Sequence, residues 1–209
     1  MARVRRYRHG IGDPQSTPEN IKNVLRQQIV QARRAMSRAD REIQNDALAA
    51  HVVTAASGLS VVAAYVPVGS EPGSVEMLDA LIARGVQVLL PVARNDETGT
   101  PAALTWGQYR SGGLVNAPFG LREPAPPVFG PATLADAELV LIPALAVDKR
   151  GNRLGRGAGY YDRSLGFAAP SIALISPLYT GEVLDDIPAG PHDVPVTHAL
   201  TADGLVTLG

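Results

Sequence analysis

"LVLIPALAVDKRGNRLGRGAGYYDRSL", residues 139–165, sets an apolar run, a glycine-rich cationic turn and a helix-forming segment end to end. The apolar half reads as a buried strand, with helix expected from Tyr160 to about Ala168. The turn between them, 151–159, holds Gly151, Gly155, Gly157 and Gly159 together with Arg153 and Arg156. A strand–turn–helix unit of this kind belongs to an α/β protein, and the rest of the chain repeats the alternation. Thr17 and Pro18 open a helix, with Ser16 and Glu19 at capping-box spacing. Its apolar face is predicted at Ile21, Val24, Leu25, Ile29, Ala32 and Met36. Ser37 caps a second helix with Ile43, Ala47, Leu48 and Val52 on its apolar side. Strands are predicted at 59–67, 86–92, around 102–106, at 137–147 and at 171–176, with short β pieces in the tail. A helix carrying Val75, Leu78, Leu81 and Ile82 ends at Gly85. Residues 93–135 are rich in Gly and Pro and read as irregular. The expected fold is α/β: a single domain, 16–209, with a mostly parallel sheet and helices on both faces, preceded by a basic N-terminal arm at 1–15.

Composition narrows the chemistry. With no cysteine in 209 residues, disulfides, thiolate nucleophiles and cysteine-ligated zinc are excluded. The longest apolar runs are about half a membrane span, and the basic N-terminus lacks a following apolar stretch, so a cytoplasmic protein without a membrane partner is expected. Charge is unevenly spread: residues 1–41 hold ten Lys or Arg against three Asp or Glu, and the rest of the chain is net acidic. That pattern suits an anionic partner or a solvated arm and helix face.

A glycine-rich turn between strand and helix brings backbone N–H groups close to an anion, and the helix N-terminus adds positive potential. The spacing G-x-G-x-G followed by tyrosine is neither a dinucleotide fingerprint nor a P-loop, and no G-x-S-x-G occurs. The glycines alone therefore indicate an anion site or a structural turn. Asp162, just past the turn, suits Mg²⁺ bridging phosphate oxygens, or a helix-start acid held by the dipole. Lys22 and Arg26 share a helix face, with Arg33 near the same stripe; such a stripe is a ligand site or a wet surface. Glu71 reads as a loop acid. His192 and His198 read as ordinary polar side chains, because Mg²⁺ takes oxygen ligands.

At this point the chain resembles the 5-formyltetrahydrofolate cyclo-ligase (5,10-methenyltetrahydrofolate synthetase) family. Residues 143–165, "PALAVDKRGNRLGRGAGYYDRSL", are similar to its P-G-L-x-F-D-x-x-G-x-R-L-G-x-G-x-G-Y-Y-D block. "KNVLRQQIVQARRAMS" (22–37), "YVPVGSEPGS" (65–74), "GLREP" (120–124) and "PHDVPVT" (191–197) follow in the family's order. The resemblance implies an enzyme that cyclises 5-formyltetrahydrofolate to 5,10-methenyltetrahydrofolate, with ATP as co-substrate and Mg²⁺, releasing ADP and phosphate. It implies ATP binding by Lys22, Arg26, Arg153, Leu154, Gly155, Arg156, Gly157, Ala158, Gly159, Tyr160 and Tyr161. It implies catalysis by Arg156 and Lys22, substrate contacts from Val66, Glu71, Arg156 and Tyr160, and metal ligation by Asp162 and Asp193. A folate, polyglutamylated or not, is the expected small-molecule partner, without nucleic acid, and the chain is expected to be a monomer. Ala144, Val147, Ala158 and Thr197 depart from the family pattern, and "PLYTGEVLDD" replaces a glutamine-containing stretch. Two rival readings remain at this stage. One is an isomerase or CoA-transferase-like enzyme acting on a phosphorylated small molecule; the other is a non-catalytic nucleotide- or RNA-binding protein.

Overall fold

The computed structural model describes residues 17–190 and 193–209. The basic arm at 1–15, the Ser16 half of the capping box and His192 lie outside the described residues. Helix α1, Pro18–Ala35, begins where the Thr17 side chain accepts the Asn20 amide and Pro18 occupies the first turn. Helix α2, Arg38–Ala55, is capped in the same way by Ser37. Then follow β1 (Val61–Ala63), α3 (Val75–Ile82) and β2 (Gln87–Val92). The stretch 93–135, expected to be irregular apart from a short strand around 102–106, carries β3 (Thr105–Gln108), which overlaps that strand, and also β4 (Leu114–Asn116), β5 (Arg122–Pro124) and β6 (Val128–Phe129). Next come β7 (Leu139–Leu141), β8 (Ala146–Asp148), β9 (Arg153–Leu154) and α4 (Tyr160–Ser164). The chain closes with β10 (Ala173–Pro177), β11 (Val183–Leu184), β12 (His198–Thr201) and β13 (Gly204–Thr207).

One eight-stranded sheet runs β13-β12-β10-β7-β1-β2-β3-β6. Its five inner strands, β12 to β2, are parallel, and β13, β3 and β6 are antiparallel additions at the edges. Adjacent residues of the parallel strands face opposite cores, and both faces are apolar. Val62, Val88, Leu139 and Leu141 pack under α2 and α3, against Leu48, Val52, Met77 and Leu81. Ala63, Leu89, Val140 and Leu174 pack on the other face with Leu134, Leu165 and the fully buried Trp106. That second face is covered by 3-10 turns at Pro131–Asp136 and Leu165–Phe167 and by the five-residue α4, rather than by long helices. Among the described residues no helix is long and apolar enough to cross a membrane.

The run 137–147 is not one strand. It breaks at Pro143: β7 belongs to the large sheet, and β8 pairs with β9 and β11 in a separate three-stranded sheet. Helix α1 lies on this small sheet, with Leu25 and Ile29 buried among Leu145, Ala146, Leu154, Leu184 and Ile187. Each such side chain contributes about 2 kcal/mol by its burial. The helix faces differ from expectation at two points: Val24 is 51% exposed and Ile43 is 68% exposed. The inward stripe of α1 is instead Leu25, Ile29 and Arg33.

Arg33 is thus no member of a solvated cationic stripe. It is 1% exposed and grips Glu182 with two hydrogen bonds, from Nε at 2.7 Å and from Nη2 at 2.8 Å. Nη2 also donates to the carbonyls of Ala144 and Leu145, and the guanidinium lies over the Tyr179 ring. Burial raises the Glu182 carboxyl, although Arg33 and the Tyr179 N–H work against that rise. Removing one member strands a buried charge, so Arg33→Met or Glu182→Gln alone lowers stability by about 3 kcal/mol or more in urea titrations. The double variant loses clearly less than the sum of the two.

A second constraint sits in the turn after β8. Gly151 adopts φ +86°, and a Cβ there would lie 2.3 Å from the Val196 carbonyl oxygen. The same glycine's carbonyl accepts the Val196 N–H at 2.9 Å, which clamps the segment bearing Asp193. Gly151→Ala combines left-handed strain with a backbone clash and costs about 2 kcal/mol or more, read from the same titrations.

Candidate active site

The C-terminal ends of β1, β2 and β7 open into one cavity of about 780 Å³. Tyr65 and Val66 follow β1, Arg94 follows β2, and Pro143, Ala144 and Leu145 follow β7. From β1 the chain goes to β2 on one side, while β7 and β10 lie on the other, so the cavity stands where strand order reverses. Open α/β sheets bind ligands at such a point.

Four elements bring the expected site residues there. Helix α1 supplies Lys22 and Arg26; the loop after β1 supplies Val66 and Glu71. The glycine turn and α4 supply Arg153, Gly155 to Asp162, and the segment before β12 supplies Asp193. Leu154 is the exception. Its side chain is fully buried under α1 among Leu25 and Ile29 and does not line the cavity.

The helix dipole is a weaker device than the sequence suggested. Helix α4 spans only Tyr160–Ser164 and continues as a 3-10 turn, so few peptide dipoles align behind the loop. Positive charge comes from side chains, and each of the four expected cations, Lys22, Arg26, Arg153 and Arg156, already holds a carboxylate. Lys22 Nζ meets Asp193 Oδ2 at 2.8 Å, and Arg26 Nη1 meets Glu19 Oε1 at 2.7 Å. Arg153 Nη2 meets Asp162 Oδ1 at 2.7 Å, and Arg156 Nε meets Glu71 Oε1 at 2.8 Å. Arg26 Nε also donates to the Gly155 carbonyl, which ties α1 to the loop. Burial opposes ionisation of Asp193, but the Lys22 ammonium, the Gly190 N–H and Arg153 outweigh it and hold the carboxyl below its usual range.

The tyrosines divide sharply. Tyr160 Oη donates to Asn95 at 2.7 Å, and Tyr65 Oη donates to the Pro72 carbonyl at 2.6 Å. The Tyr161 hydroxyl is buried without a hydrogen-bond partner, and Arg153 lies over its ring. Burial pushes this hydroxyl well up; Glu71 adds to the shift and Arg153 opposes it.

The two carboxylates expected to hold a metal, Asp162 and Asp193, both line the cavity, each with one oxygen engaged by a cation. No group of three or more His, Cys, Asp or Glu able to hold a metal occurs among the described residues. A donor set this small suits an ion that keeps waters and shares phosphate oxygens, as Mg²⁺ does, rather than a protein-caged metal.

The sequence reading missed Glu19, Tyr65, Asn95, Arg94 and Glu123. Glu19 was read only as a capping acid, yet it neutralises Arg26. Arg94 and Glu123 form a two-pronged pair, 2.6 and 2.8 Å, across the cavity rim. Glu123 lies within the "GLREP" stretch, which was the only sequence signal for that wall.

Comparison with known proteins follows the same outline. The 5-formyltetrahydrofolate cyclo-ligase family pattern matches residues 18–202. A 5-formyltetrahydrofolate cyclo-ligase of Mycolicibacterium smegmatis is 52% identical over 192 residues, covering 90% of this chain and 97% of that protein. Two solved structures share the fold. A 5,10-methenyltetrahydrofolate synthetase of Mycoplasma pneumoniae is 22% identical, with TM-score 0.67, over 87% of this chain and 98% of that one. Its counterpart from Aquifex aeolicus is 23% identical, with TM-score 0.70, over 90% and 93%. With the glycine turn, the α1 cations and the strand-end cavity all inside the matched span, the chain belongs to the 5-formyltetrahydrofolate cyclo-ligase family.

Proposed function

We propose that this protein uses ATP to convert 5-formyltetrahydrofolate into 5,10-methenyltetrahydrofolate, releasing ADP and phosphate. The observation that carries the reading, beside family membership, is that Arg156 of the glycine turn touches Glu71 of the opposite wall inside one cavity. A phosphate-binding loop and a carboxylate suited to a pterin's N–H groups thus stand within a side chain's reach of each other. Membership of the family leaves no observation favouring the isomerase, CoA-transferase or RNA-binding alternatives.

An N-formyl group is an amide: its carbon is a poor electrophile and its oxygen a poor leaving group. Transfer of the γ-phosphoryl to that oxygen creates a leaving group, after which N10 attacks the carbon and the ring closes. Phosphoryl transfer asks chiefly for positioning and charge neutralisation. The backbone of 155–159 cradles the phosphates, with Lys22, Arg26 and Arg153 around them. Arg156 exchanges Glu71 for the transferred phosphoryl. Val66, Glu71 and Tyr160 line the folate side. Asp162 and Asp193 would hold Mg²⁺, which would supply neutralisation of the phosphate charge. Lys22, Arg26, Arg153 and Arg156 each start paired, so an incoming anion takes the place of a carboxylate rather than meeting a bare charge.

Purified protein mixed with 5-formyltetrahydrofolate and MgATP should generate the absorbance of the methenyl product; its absence would sink the reading. Asp162→Asn and Arg156→Ala should each lower turnover about 100-fold with the thermal midpoint nearly unchanged. Wild-type rates in both would move the site elsewhere. The Lys22–Asp193 pair gives a separate pH signature. The folded Asp193 carboxyl lies below its ordinary value, so its stabilisation is present above the unfolded pKa of about 3.9 and is lost as pH falls through the folded value. Asp193→Asn should therefore cost up to about 1 kcal/mol at pH 7, and the difference from wild type should vanish in acid urea titrations.

A further inference from the structure

We propose that the Tyr161 hydroxyl donates a hydrogen bond to the formyl oxygen of the substrate, the atom that accepts the phosphoryl group. The inference rests on the cyclo-ligase reading and goes beyond it, since family resemblance gives Tyr161 only a general place in the nucleotide loop.

The hydroxyl is conspicuous by what it lacks. Tyr65, Tyr109, Tyr160 and Tyr179 each donate to a named acceptor: the Pro72 carbonyl, Asp79, Asn95 and the Glu71 carbonyl. Among the described tyrosines Tyr161 alone has no partner, and its oxygen is sealed from solvent. A buried, unpaired donor is costly, and where a chain keeps one, a partner is to be sought. The ring itself is fixed, packed against the second apolar core and under the Arg153 guanidinium at 5.8 Å. The residue also lines the cavity, so its unsatisfied donor lies in the wall of the space a ligand would fill.

Its surroundings select which acceptor. Glu71 and Arg153 line the same cavity as Tyr161, and the Arg153 guanidinium lies over its ring. In the proposed site Glu71 anchors the pterin and Arg153 the phosphates. The group that must lie between pterin and γ-phosphate is the N5 formyl. An amide oxygen has two lone pairs: Tyr161 takes one, and the other is left to face phosphorus.

The balance of bonds follows. The formyl oxygen forms an O–P bond as the bond from γ-phosphorus to the ADP oxygen breaks, giving an N5 iminium phosphate and ADP. N10 then forms its bond to carbon and gives its proton to water. Finally the C–O bond breaks, and phosphate leaves carrying the former formyl oxygen. Negative charge builds on that oxygen in the last step, so a hydrogen bond to it strengthens as the bond breaks.

Tyr161→Phe removes the oxygen and keeps the ring. Its thermal midpoint should match or exceed wild type, because no protein hydrogen bond is lost. Turnover should fall about ten- to a hundredfold while KM for ATP stays within about twofold. Without ATP, calorimetry should show that wild type binds 5-formyltetrahydrofolate more tightly than 5-methyltetrahydrofolate, which has no such oxygen, and that the variant loses this preference. Unchanged turnover with an unchanged formyl-to-methyl ratio would overturn the inference. So would a rise confined to KM for ATP, which would mark a nucleotide contact, or a variant that fails to fold. A wild-type protein that prefers the formyl folate but makes no product would refute the cyclo-ligase reading while leaving the contact to the ligand comparison. One that binds neither folate would refute both.

Discussion

The buried pair of Arg33 and Glu182 fixes the geometry on which the site depends. It joins α1 to the segment before β11, and through the Ala144 and Leu145 carbonyls it ties both to the end of β7. Lys22, Arg26 and Arg33 lie along one stripe of α1, spanning roughly 16 Å at 1.5 Å per residue. Anchoring the stripe at its buried end sets where its other end can reach. There Lys22 meets Asp193 and Arg26 meets the Gly155 carbonyl. A helix held by apolar contacts alone could slide; a bidentate, fully enclosed ion pair admits one register.

The four cations Lys22, Arg26, Arg153 and Arg156, which line one cavity, would repel one another if they stood bare. Each has instead a carboxylate within 2.8 Å, and three of these partners come from distant parts of the chain or the far side of the loop. The fourth, Glu19, lies two turns before Arg26 on the same helix. Such a network balances these charges within the protein itself. It also links the two halves of the cavity, since Arg156 of the glycine turn holds Glu71 of the loop after β1.

The α/β class, both long helices with their caps, and the glycine turn were legible because each rests on local pattern. Thr17 and Ser37 cap where their spacing demands, and Gly85, with φ +81°, follows the third helix. What could not be read depended on partners far along the chain. The run 139–147 looks like one strand because both halves are buried; only pairing tells that its ends belong to different sheets. Arg33 looks like a solvated charge until Glu182, 149 residues away, is seen to face it. The loop cations were legible from composition, but their carboxylate partners were not, since pairs such as Arg156 and Glu71 lie 85 residues apart.

The departures from the family pattern take on different weights once placed. Thr197 is not at the cavity: its hydroxyl bridges the Leu174 backbone and His198, so it serves the pairing of β10 and β12. Val147 is fully buried in the second core, where a branched aliphatic fills the space by packing alone. The segment 177–186 brings Tyr179 and Glu182 to Arg33, which makes it part of the anchor for α1. Ala144 and Ala158 do line the cavity. Ala144 meets Arg33 through its carbonyl, an interaction that any side chain would permit. Ala158 removes a charge from the loop tip, yet the Arg163 guanidinium donates to the carbonyls of Ala158 and Gly159 at that same point. Positive charge therefore remains beside the tip, supplied from α4.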